Sequence, residues 1–83
     1  MNSTFVTERA TEFAKRIQKE TSLPEEQVKL AFRLCFSRDP LPEEAARSGE
    51  FLSQPVKTKS ESFGVLEAFC QAMLSTAEFR NLD

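Results

Sequence analysis

Apolar residues along this chain recur at spacings of three and four, and Val, Ile and Thr never alternate with polar residues over a useful window. That periodicity predicts helices and no sheet. Four segments carry it, separated by short polar or proline-bearing joints. In the first, from about Ser3 to Glu20, Val6, Ala10, Phe13, Ala14 and Ile17 fall on one face, and Glu8, Glu12, Lys15, Arg16 and Lys19 lie elsewhere. Ser3 or Thr4 can cap its start, and the basic residues near its end complement the helix dipole.

The second segment opens at Ser22-Leu23-Pro24-Glu25, which reads as a capping box with Pro in the first turn. It runs through Val28, Ala31, Phe32, Cys35 and Phe36, with Leu30 and Leu34 on a flanking side. Only Glu26, Lys29 and Arg33 keep a narrow wet face, so this is expected to be the central helix. Ser37-Arg38-Asp39-Pro40-Leu41-Pro42 stops it, since proline cannot continue the amide ladder and pushes its predecessor out of helical conformation.

A third helix is predicted from Pro42 to about Leu52, with Glu43 and Glu44 in its first turn. Leu23-Pro24-Glu25-Glu26 and Leu41-Pro42-Glu43-Glu44 are the same tetrapeptide, read as a shared helix-start device because the residues that follow do not match. Ser53 to Ser62 is the most polar stretch, the best loop candidate and the segment expected to move. The fourth helix is placed from about Glu61 to Ser75, with a stripe of Leu66, Phe69, Cys70, Met73, Leu74 and Ala77 that Phe63 and Val65 extend. The tail from Thr76 to Asp83 alternates polar and apolar residues, with Phe79 and Leu82 as its anchors.

The expected fold is therefore all-α, a compact four-helix domain with short connections. Its core is expected to be phenylalanine-rich, with Phe5, Phe13, Phe32, Phe36, Phe69 and Phe79 inside. The length of 83 residues restricts this to one domain, since so short a chain buries only about 60–65% of its unfolded surface and leaves little for a deep cleft. No longer apolar run approaches the roughly 20 residues of a membrane-spanning helix, and Met1 to Arg9 show no secretory signal.

The chain has no His, which removes the commonest general acid/base and the imidazole metal ligand from its own chemistry. Its formal charge of −2, with both signs interspersed, gives no phosphate footprint, so no nucleic-acid partner is expected. Cys35 and Cys70, the only two cysteines, match no zinc, redox or haem-attachment spacing. They read as buried thiols acting as small hydrophobes, with a disulfide between their helices as the other reading.

Phe32-Arg33-Leu34-Cys35-Phe36-Ser37-Arg38-Asp39-Pro40, followed by the acidic opening of the third helix, resembles a pattern near the C-terminus of the planctomycete DUF1553 family, also called PSD1. Leu66 to Phe79 is similar to that family's closing helix, with Glu78-Phe79 near its end, and Asn2-Ser3-Thr4-Phe5-Val6 is similar to the segment that opens the region. The likeness covers essentially the whole chain. Leu41 stands where the family usually has Thr or Ser at a helix cap, and Ser37 where it has Gly. A weaker likeness to the DUF4214 type of repeat rests on Arg38-Asp39-Pro40 and the later Glu78-Phe79.

The resemblance implies a C-terminal module of a larger, exported or periplasmic parent of unassigned function, whose upstream regions would be this module's partners. A weak homodimer is the other association considered. No cofactor or metal is expected on the chain itself, and any haem site would lie in the parent's upstream part.

Arg33, Arg38, Asp39, Glu78 and Phe79 are the candidate structural or interaction residues. Arg38 is expected to pair with Glu78 or to cap helix-terminal carbonyls, holding the Arg38-Asp39-Pro40 turn against the closing helix, a role that suits the planar guanidinium fork. The acidic pairs Glu25-Glu26 and Glu43-Glu44 read as first-turn acids, and Lys57 and Lys59 as solvated loop residues. Phe51, Leu52, Leu30 and Leu34 lie off the main stripes and either form an exposed interface or close over the core. The function expected is a non-catalytic helical packing or protein-interaction module. The alternative is an accessory part of a larger exported enzyme or redox protein whose active site lies upstream.

Overall fold

The computed structural model describes the backbone of residues 3–81 and the side chains of residues 7–76. Four helices follow one another: α1 (Ser3–Glu20), α2 (Pro24–Phe36), α3 (Pro42–Leu52) and α4 (Lys59–Asn81). Helix takes up 80% of the chain, and no strand occurs among the described residues. The radius of gyration is 12.2 Å, against about 12 Å for a compact domain of this length.

The first and third helices have the bounds their periodicity predicts. The second starts later than the Ser22 capping box required. Leu23, pushed out of helical conformation by Pro24, sits at φ −84° and ψ 124° and so becomes the N-cap itself. Its carbonyl accepts the Gln27 amide at 2.9 Å, and its own amide donates to Thr21 Oγ1 at 3.1 Å. Leu41 occupies the same position before Pro42, at φ −69° and ψ 157°. The repeated tetrapeptide is thus one device used twice, with proline fixing the start one residue after leucine.

The fourth helix is longer at both ends than its apolar stripe suggested, extending back to Lys59 and on through the tail to Asn81. Thr58 sets its start: the hydroxyl accepts the Glu61 amide at 3.1 Å, and the Thr58 carbonyl accepts the Ser62 amide at 3.1 Å. The Glu61 carboxylate reaches back to the Lys57 amide at 2.9 Å, so a cap of Ser/Thr-x-x-Glu type forms here. The polar joint accordingly shrinks to residues 53–58.

The core joins Ala10, Ala14 and Ile17 of α1, Val28, Ala31 and Phe32 of α2, and Leu66, Phe69, Cys70, Met73 and Leu74 of α4. The largest interface is that of α1 with α4, where the two alanines let the helix axes approach beneath the longer α4 side chains. Both α2 and α4 touch all three other helices, so α2 shares the central place with α4.

Among the described residues the core is not phenylalanine-rich: only Phe32 and Phe69 are buried there, while Phe13, Phe36 and Phe63 are half-buried at its edge. The half-buried Phe13 and Phe36 carry arginines: Arg9 lies 5.9 Å from the Phe13 centroid and Arg38 5.7 Å from that of Phe36. The side chains of Phe5 and Phe79 lie outside the described residues. Of the four side chains off the main stripes, Leu30, Leu34 and Leu52 pack against the core. Phe51 is 39% exposed, its ring tilted against Phe69 at a centroid distance of 6.4 Å.

Candidate interaction site at the α2–α3 joint

The joint between α2 and α3 is built on a reversal at Ser37. With φ 56° and ψ 33° it is the left-handed residue that ends α2, and its amide donates to the Arg33 carbonyl at 3.1 Å. The chain then turns back, and Arg38 lies across the last turn of α2, its guanidinium 5.5 Å from the Phe32 centroid and 5.7 Å from that of Phe36.

From that position Arg38 grips α3. Nη1 donates to Glu44 Oε1 at 2.8 Å and Nη2 to Glu44 Oε2 at 3.0 Å, a two-pronged pair. Nη1 also donates to the Asp39 carbonyl at 3.0 Å. Glu44 Oε1 in turn accepts the Leu41 amide at 2.8 Å. Leucine has no side-chain acceptor, so only this reciprocal half of a capping box exists at the start of α3. One carboxylate therefore satisfies an orphan helix amide and binds the arginine of the preceding turn.

A second pair lies beside the first. Arg33 Nε donates to Asp39 Oδ1 at 2.8 Å, with both side chains largely in solvent. The hydrogen bond, and then the charge, of Arg33 hold the Asp39 carboxyl below its ordinary range. The same contacts seen from the other side raise Arg33, and the hydrogen bond to Glu44 raises Arg38. The exposed pair is screened by water and adds little to stability; the Arg38 fork, shielded by two rings, is the stronger tie.

Of the residues the sequence singled out, Arg33, Arg38 and Asp39 are brought together here. Glu78 and Phe79 lie on the last turns of α4, and their side chains are outside the described residues. Arg38 holds the turn against α3 through Glu44, while the Glu78 side chain expected as its partner is among those outside the described residues. Glu44 was read only as a first-turn acid. Its third position in the helix, facing the N-cap amide, is the signal for its bridging role.

A different polar contact ties α1 to α4. Thr11 Oγ1 lies 2.6 Å from Glu67 Oε2 and 3.0 Å from the Thr7 carbonyl, and its single proton serves the nearer carboxylate. Nothing in the sequence pairs residues so far apart. Among the described residues, no three His, Cys, Asp or Glu side chains converge as a metal site would need. No described helix is long and apolar enough to cross a membrane.

Among the described residues four large apolar side chains are exposed, one in each joint between successive helices and one on α3. Leu23 is 62% exposed, Leu41 59% and Val56 40%. The fourth, Phe51, lies on α3, which Leu41 immediately precedes and which buries none of its own residues completely. A groove is lined by Val28, Pro40 and Ala45 together with Glu25, Lys29 and Asp39. No family model, curated protein or solved structure matches this chain.

Proposed function

We propose that the chain is a non-catalytic helical packing or protein-interaction module of a DUF1553-like protein, with the upstream regions of the same parent as its partner. The supporting observation is how the DUF1553-like turn uses its charges. Arg33 is tied to Asp39 and Arg38 to Glu44, so the block that carries the resemblance spends its polar groups on joining α2 to α3. With those charges paired, the exposed Leu41 at the start of α3 is left as an apolar side chain facing outward, and Phe51 near the end of the same helix is a second. Exposed apolar side chains bordering one lightly covered helix suit a protein partner better than a small polar substrate.

The test is made in the source cells. An antiserum against this chain should detect a species far larger than 9.4 kDa, and the upstream region expressed separately should retain the purified chain on a column. Leu41→Asp and Phe51→Asp together should abolish that retention without loss of helicity. A native species of this chain's own size, or retention indifferent to both substitutions, defeats the reading.

A further inference from the structure

Cys35 and Cys70 lie on the core-facing stripes of two helices that touch, α2 and α4. Cys70 is 1% exposed inside the core, and Cys35 is half-buried and packs against that same core from α2. Burial pushes both thiols up, Cys70 to about 12. The negative charge of an ionised Cys35 adds to the rise at Cys70. The two thiols differ in access, since only Cys35 meets solvent, and Arg9 partly offsets its upward shift.

We propose that Cys35 and Cys70 are a redox pair that closes into an intramolecular disulfide across α2 and α4, with Cys35 as the entry thiol. The oxidant is a small disulfide such as oxidised glutathione. The Cys35 thiolate attacks one of its sulfurs, forming a mixed disulfide and expelling one glutathione thiolate. Cys70, once deprotonated, attacks the Cys35 sulfur and expels the second. Two protein thiols are oxidised to one disulfide, one oxidised glutathione is reduced to two thiols, and the two cysteine protons end on those thiols.

Closure needs the two Cα atoms within about 7 Å, a demand met only by neighbouring helices. It clasps α2 onto α4 and closes a loop of about 35 residues, which restricts the unfolded chain. The second step is the slow one, because Cys70 is enclosed and its proton is held. Glutathione on Cys35 is therefore the transient species, and the clasp opens again under a dithiol reductant.

The experiment incubates the full 83-residue chain with oxidised glutathione, blocks residual thiols by alkylation and maps the peptides by mass spectrometry without reduction. The expected product joins the Cys35 and Cys70 peptides within one chain and melts at a higher temperature, and dithiothreitol reverses both changes. Cys70→Ser should stop at a glutathione adduct on Cys35, and Cys35→Ser should stay unmodified. The pair is refuted if the unaltered chain ends with glutathione on Cys35 and a free Cys70, or with links only between chains. The entry order is refuted if Cys70 in Cys35→Ser takes up glutathione as fast as Cys35 does in the unaltered chain. The unaltered chain alone decides whether the pair exists, so a variant that folds poorly does not obscure that outcome.

Discussion

Arg38 and Glu44 meet fork to fork, at 2.8 and 3.0 Å, across the turn that separates α2 from α3. The contact depends on planarity twice, once at the carboxylate and once where the guanidinium lies over Phe32 and Phe36. Lysine keeps the charge and loses both. Arg38→Lys is therefore expected to lower the thermal midpoint nearly as far as Arg38→Ala, and further than Arg33→Ala, whose pair with Asp39 is solvated. Thermal denaturation of the three variants in one buffer checks this; equal losses for Arg38→Lys and Arg33→Ala would remove the special role of the fork.

Ser37 holds a left-handed conformation at φ 56° that glycine adopts without strain. Ser37→Gly should stabilise the chain by about 1 kcal/mol, read from the urea midpoint at unchanged slope. The inverse change is favourable inside the helices. A methyl group on Gly49 or Gly64 meets no atom within 4 Å, so alanine at either position should add about 0.5–1 kcal/mol through helix propensity. A loss at Gly64 would mean that α1 needs closer approach to α4 than these helix positions indicate.

How much of this was legible in the sequence depends on whether the cause was local. Ala10, Ala14 and Ile17 were placed on α1's inner face by spacing alone, and they are buried there. The proline starts of α2 and α3 were equally readable, but the cap before Pro24 was misjudged by one residue because the restriction on Leu23 outweighed the Ser22 hydroxyl. At Thr58-x-x-Glu61 a capping pattern stood in plain view inside a stretch read as a loop for its polarity. The phenylalanines were assigned by hydrophobicity, whereas the depth of each ring depends on how the helices pack together, which no single helix encodes. In the joint, Arg33, Arg38 and Asp39 were visible as a charged turn, and the partner Glu44 became evident only when the Ser37 reversal brought α3 alongside.

Ile17 is wholly enclosed, while Phe13, one turn earlier, is only half-buried despite its larger ring. Ile17→Ala should cost about 2–5 kcal/mol, a large part of the roughly 4–12 kcal/mol expected for a domain of this size. Phe13→Ala should cost clearly less, because its cavity opens to water. Urea denaturation of both variants decides the order, and a greater loss at Phe13 would restore the ring-filled core that the composition suggested.

Cys70 links stability to pH at the alkaline end. Its thiol is raised from 9.0 to about 12, first by burial and then by the charges of Cys35 and Glu67, so the folded state holds the proton longer than the unfolded state does. Between those values the unfolded chain binds fewer protons, and stability must fall as pH rises. The contribution is complete below about pH 9 and disappears towards pH 12, with a limiting slope on the order of 1.4 kcal/mol per pH unit. Cys70→Ala removes the group and should flatten that part of the curve, although it lowers stability at neutral pH by leaving a small void in the core. Urea midpoints from pH 8 to 11 with a reductant present test this, the reductant keeping Cys35 and Cys70 as thiols. Parallel curves for the two proteins would show that Cys70 ionises as readily in the folded chain as in the unfolded one.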